Sequence, residues 1–132
     1  MPVSDLEQGV RFYSGLFERS GERVSPGRHY FNAGGAILVC YDAARDGDGH
    51  CFDRQRTPVY FTSANLDDLF RRCCDLGATC SNAVRPDFGV LGRIEMRPWG
   101  ERSFYVDDPF GNQLCFVDEA TALEADEWAT NA

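Results

Sequence analysis

Apolar side chains recur at helical spacing in two stretches of the 132-residue chain, and elsewhere fall in short runs or alternate with polar ones. Leu6, Val10, Tyr13 and Leu16 follow one another at steps of three and four behind a Ser4–Glu7 capping box, which predicts a helix over residues 5–17. Leu66, Leu69, Phe70 and Cys73 stand at i, i+3, i+4 and i+7 between an Asn65 cap and Gly77, which predicts a second helix. Short strands are predicted over Glu22–Pro26, Arg28–Asn32 and Ala36–Asp42, the last two joined through Ala33-Gly34-Gly35. Pro58–Thr62 precedes the second helix as a strand, and Ala78–Ser81, Arg93–Arg97, Arg102–Asp107 and Gln113–Asp118 follow it. Residues 43–57 carry Arg, Asp, Gly and His with little apolar content and read as an exposed connection.

The order of elements repeats. VSDLEQGVRFYSGLF is similar to SANLDDLFRRCCDLG, and GGAILVCYD to GNQLCFVDE, so the simplest interpretation is two βαβββ units in tandem. The expected fold class is α+β, in one domain spanning 1–132: module one covers about 1–45, module two about 58–119, and an acidic tail 120–132. The first unit opens at its helix: either the true start lies upstream, or the first module lacks its inner strand and leaves a sheet edge for another chain to pair. The tail, with Leu123, Glu124, Glu127 and Trp128, is either a short surface helix or disordered.

Twenty-one acidic residues against thirteen arginines, with no lysine, give a net charge of −8, which repels phosphate backbones and anionic lipid. Nucleic acid and membrane are therefore not expected partners, and no apolar run approaches the roughly 18 residues needed to cross a bilayer. The same field draws cationic small molecules. The opening MPVSDLEQG has no basic segment followed by an apolar run, and the six cysteines lack CxxC spacing, so the expected location is a reducing cytoplasm. Cys40, Cys73, Cys80 and Cys115 fall among apolar residues, as small core side chains do.

Two stretches, PVSDLEQGVRFYSGLF and PWGERSFYVDDPFGNQLCFVDE, resemble the vicinal oxygen chelate superfamily, which includes glyoxalase I, extradiol dioxygenases, fosfomycin resistance enzymes and bleomycin resistance proteins. The Pro-Trp-Gly before a strand and the Asp-Pro-x-Gly-Asn turn look most like the bleomycin resistance branch. The resemblance runs from Pro2 to about Glu119 and implies paired βαβββ modules whose mixed sheets curl around a cleft, usually within a homodimer.

With Asp108 and Asn112 flanking the turn, antiparallel pairing sets Tyr105 opposite Cys115 and Ser103 opposite Val117, all four on one face. Phe104, Val106, Leu114 and Phe116 form the other face, suited to covering a helix. By resemblance the first set points into the cleft, where the superfamily's metalloenzymes hold a divalent cation with four side chains, typically His and Glu. The matching positions here are Cys115, Val39 and Pro58, and the fourth falls before Pro2. One soft thiol does not make a shell for Mg²⁺, Mn²⁺ or Fe²⁺, so neither metal nor other cofactor is expected. His50 sits in the polar connection and His29 alone is not a site. Cys115 has no base placed beside it, so it reads as a small cleft-lining residue and no catalytic residue is assigned.

The candidate ligand-binding residues are Trp99, Tyr105, Tyr60 and Tyr41, with Cys115 and Val39 at the former ligand positions. Rings with polar tips suit a flat, aromatic or cationic organic ligand; the alternative is that some of them pack at a module or subunit interface. The expected function is metal-free sequestration of a drug or metabolite by a homodimer. A divalent-metal-dependent lyase or dioxygenase of the same superfamily is the alternative, and an interaction module without ligands the third.

Overall fold

The structure, a computed structural model, describes residues 1–123; the calls on Glu124, Glu127 and Trp128 lie outside the described residues. Helix α1 runs Leu6–Phe17, and its cap is Asp5, whose carboxylate accepts the Gln8 amide at 3.2 Å. The cap thus falls one residue later than the Ser4–Glu7 pattern predicted, because Glu7 turns away to ion-pair with Arg23 and Arg45 at 2.9 and 3.1 Å. Strands β1 (Glu22–Ser25), β2 (Arg28–Asn32) and β3 (Ile37–Tyr41) form the expected antiparallel meander. Gly34 and Gly35 turn the β2–β3 corner with φ of +73° and +97°, which L side chains rarely adopt. Met1–Val3 runs parallel to the outer edge of β3: Tyr41 N–H donates to Met1 C=O, and Val3 N–H to Tyr41 C=O, both at 2.9 Å.

Strand β4 (Val59–Ser63) leads into α2 (Leu66–Asp75), capped as predicted by Asn65, which accepts the Asp68 amide at 3.2 Å. The chain then makes a hairpin of β5 (Val84–Arg85) and β6 (Gly89–Val90), the short β7 (Glu95–Met96), and the long β8 (Arg102–Asp107) and β9 (Gln113–Asp118). Sheet order is β4-β9-β8-β7, with β4 parallel to β9 and the other pairs antiparallel. Two expectations change here. Ala78–Ser81 is not a strand: only Thr79 bridges to Asp107, and the Ser81 carbonyl is taken by Gly92 N–H at 2.9 Å. Arg93–Arg97 shortens to two strand residues because its last side chain turns inward, as described below. The β5–β6 hairpin was not foreseen; Pro86 and positive-φ Gly89 are its turn chemistry.

The helices cover one face of the sheets. Phe104 and Phe116 pack at a tilt 5.3 Å apart, Phe70 of α2 meets Phe104 edge-on at 5.1 Å, and Phe17 of α1 reaches Phe61 at 5.6 Å. Such ring pairs add to the area buried, and they make one apolar core common to both helices.

A polar knot closes this core. Asp108, beside the β8–β9 turn, accepts the Tyr13 hydroxyl at 2.6 Å and the Phe110 and Asn112 amides at 2.9 Å. Asn112, fully buried, accepts the Gln55 amide at 2.6 Å and donates to Pro2 C=O at 2.6 Å and Asp108 at 2.8 Å. Four separate segments are thereby tied at one turn. Asn112→Ala strands the Gln55 donor and the Pro2 acceptor, and is expected to destabilise by about 2 to 4 kcal/mol. Urea denaturation checks this, and a loss below 0.5 kcal/mol, as at an ordinary surface site, contradicts it.

Candidate functional site

The β8–β9 register is the expected one, Ser103 opposite Val117 and Tyr105 opposite Cys115. The face they form is closed, not open. Leu91 and Ala122 pack on Tyr105, Cys115 and Val117, and the side chain of Arg97 is buried over them. Its guanidinium donates to Ser103 Oγ and C=O at 3.1 and 3.0 Å, and to the carbonyls of Phe88, Val90, Leu91 and Arg93 at 2.5 to 3.3 Å. Glu95 pairs with it at 3.6 Å. A planar fork of five donors satisfies that many carbonyls where a lysine does not. Residues 88–97 are thus strapped across the sheet, which is why the strand predicted there breaks early.

The remaining candidates separate into three places. Tyr60 on β4 is exposed, with its ring edge-on to Tyr105 at 6.5 Å, so Tyr60, Cys115 and Tyr105 form a row across β4, β9 and β8. Tyr41 lies at the end of β3, hydrogen-bonded to Asp48 beneath the Arg28 guanidinium, 4.4 Å from the ring centre. Trp99 stands beyond β7, its indole N–H on Glu101 at 2.7 Å and its ring against Phe88 at 4.7 Å.

Val39 and Tyr60 share a cavity of about 740 Å³ between the outer edges of β3 and β4. Leu16 and Phe17 from the end of α1, Phe61 and Phe116 supply apolar wall, and Asn32, Gln55 and Thr62 supply polar points. Arg19 and Arg72 are the lining residues with charged side chains, and no side-chain carboxylate lines the cavity. Arg72 is partly engaged, by Asp68 at 2.6 Å and Glu18 at 3.3 Å, while its Nε is buried without a partner. Its volume lies within the range of small-molecule sites. Phe17, Arg19 and Arg72 were not singled out from sequence.

The donor set does not fit a resident divalent cation. Val39 and Pro58 offer no side-chain donor, and among the described residues no three His, Cys, Asp or Glu side chains gather closely enough to hold a metal ion.

No protein-family model matches the sequence, and no curated protein matches it significantly. Solved structures do match in fold. A glyoxalase-related enzyme from Fulvimarina pelagi has a TM-score of 0.67 at 17% identity, covering 96% of this chain and 89% of that one. Lactoylglutathione lyase from Agrobacterium tumefaciens has a TM-score of 0.64 at 17% identity, with coverages of 91% and 90%. A bleomycin-binding protein complexed with bleomycin has a TM-score of 0.61 at 17% identity, with coverages of 90% and 93%. The fold is shared with solved structures of glyoxalase, bleomycin resistance and dioxygenase proteins. No helix among the described residues is long and apolar enough to cross a membrane.

Burial gives the thiols a pH signature. It pushes Cys115 up to about 11, against the opposing pull of the Tyr105 and Ser103 hydroxyls and the Arg97 charge, and Cys40 and Cys73 up to about 12. The folded state therefore favours the protonated thiols. Their contribution to stability is complete below the ordinary thiol value of 9.0 and is lost as pH rises from there towards 11 and 12. The melting temperature is expected to fall above pH 9, and iodoacetamide at pH 7.5 to label exposed Cys51 and Cys74 while sparing Cys115. Labelling of Cys115 at the rate of Cys51 in the folded protein contradicts this.

Proposed function

We propose that the protein binds a small organic molecule in the cavity between β3 and β4, holding it by shape, ring contacts and hydrogen bonds and without a protein-bound metal. The observation that carries this reading is the cavity itself, about 740 Å³ with Val39 and Tyr60 on opposite walls. Cys115 on β9 and Tyr105 on β8 back Tyr60, whereas Tyr41 and Trp99 fall outside this site. The donor set described above supports binding over metal-dependent lyase or dioxygenase chemistry, and the bleomycin complex of a protein with this fold supports an organic ligand.

The ligand's charge is argued locally. A net −8 favours cations at a distance, but salt screens exposed charges beyond about 10 Å. Inside the cavity Arg19 is the near charge, Arg72 being paired with Asp68 and Glu18, so the reading moves to a neutral or anionic aromatic compound.

The wider reading is a single domain of two βαβββ modules acting in the cytoplasm as a homodimer that sequesters a drug or metabolite, in the manner of an antibiotic resistance protein. Matching caps at Asp5 and Asn65, and a parallel first-strand pairing in each half, support the modules. Exposed Ile37, Met96 and Val84 are apolar surface that a second copy can cover.

Calorimetric titration with a panel of aromatic carboxylates and neutral aromatic amides is expected to find binding that EDTA leaves unchanged. Val39→Arg, which fills the cavity, is expected to weaken it at least tenfold, and Trp99→Ala to leave it within about twofold. Binding lost with EDTA, or lost in Trp99→Ala but not in Val39→Arg, overturns the proposal.

A further inference from the structure

Cys74 and Cys80 stand six positions apart in sequence with their sulfurs 3.7 Å from each other. The turn that ends α2 brings them together. Gly77, at a φ of +85°, reverses the chain, and its amide and that of Ala78 return to the carbonyls of Cys74 and Cys73 at 3.2 and 3.0 Å. Thr79 then exchanges both its backbone bonds with Asp107, each at 2.9 Å, and Ser81 C=O accepts from Gly92 N–H at 2.9 Å. Cys80 is thus held from both sides, and Cys74 by the helix that carries it. Disulfide bonding at about 2.05 Å closes a gap smaller than the sweep of a sulfur about its Cα–Cβ bond.

The two thiols differ in access. Leu66, Leu69 and Cys73 form the buried face of α2, and Cys74, one residue on, is exposed. Cys80 is half-buried against the core, and burial together with the hydrogen bond to Cys74 pushes it up to about 11. Cys80 therefore keeps its proton, while Cys74 meets reagents first. Neither residue lines the cavity, so this chemistry is separate from the ligand reading.

We infer that Cys74 and Cys80 form a dithiol site that takes a small-molecule disulfide and is converted by it into an internal disulfide. Cys74 gives up its proton and attacks one sulfur of the reagent, whose S–S bond breaks and whose departing thiolate takes that proton. The Cys80 sulfur then attacks Cys74 Sγ, the mixed S–S bond breaks, and the second thiolate leaves with the Cys80 proton. Two cysteine thiols are oxidised and one reagent disulfide is reduced to two thiols, so excess thiol reverses the change. Capture by Cys80 is intramolecular, and its high effective concentration outcompetes accumulation of the mixed product. The new bond staples the last turn of α2 to the segment paired with Asp107.

The test is incubation of the intact chain with bis(hydroxyethyl) disulfide, followed by an acid quench, trypsin and mass spectrometry. Exposed Cys51 serves as the lone-thiol control. The expected result is a stable hydroxyethylthio adduct on Cys51, at least tenfold less of it on Cys74, and a peptide of residues 73–93 lighter by two hydrogens, restored by dithiothreitol. Cys74→Ser and Cys80→Ser are each expected to abolish that loss, and Cys80→Ser to leave a stable adduct on Cys74. An adduct that persists on Cys74 in the wild type, or no reaction at Cys74 while Cys51 is modified, overturns the inference. Loss of two hydrogens that survives in Cys74→Ser assigns the bond to Cys73 instead and overturns it as well.

Discussion

The buried pair of Asp108 and Asn112 is the constraint on which the rest of the structure depends. A turn of the form Asp-Pro-Phe-Gly-Asn needs its aspartate only to receive nearby amides, and Asp108 does receive two. It also holds the Tyr13 hydroxyl, and through Asn112 the turn grips Pro2 and Gln55. Because Tyr13, Asp108 and Asn112 are buried, each bond forbids an alternative that leaves one of their polar atoms dry. The knot fixes α1, the segment preceding it, and the connection before β4 relative to the β8–β9 hairpin. Those segments are also the ones that border the cavity.

The second organising element is Arg97. Desolvating a guanidinium is costly, and it is tolerated where its donors are met in full. Here the donors collect the carbonyls of residues 88–93 and Ser103, turning an irregular segment into a fixed cover over Tyr105 and Cys115. A face that the family resemblance implies is cleft-lining is thereby made into core, and the open volume lies at the edges of β3 and β4.

Much of this was legible along the chain. Helical spacing and the Asn65 cap located α2, and the strict period of two through Ser103, Tyr105, Cys115 and Val117 located one sheet face and its register. What was not legible depends on long-range polar contacts. Ser4 and Asp5 are both good caps, and the choice between them turns on Glu7 finding Arg23 and Arg45 far along the chain. Arg97 reads as an ordinary surface residue until its carbonyl partners are known. Tyr41 and Trp99 resemble Tyr60 in type and in position at strand ends, and only the tertiary structure separates a ring at the cavity from rings occupied by Asp48 and Glu101.

The account's central claim is that the open site lies between the β3 and β4 edges while the Arg97 cover stays shut. A crystal structure of the protein soaked with a compound that binds it tests this most directly. The account predicts ligand density between Val39 and Tyr60, with Arg97 still bonded to Ser103. Density over Tyr105 and Cys115, with Arg97 and residues 88–97 displaced, contradicts it.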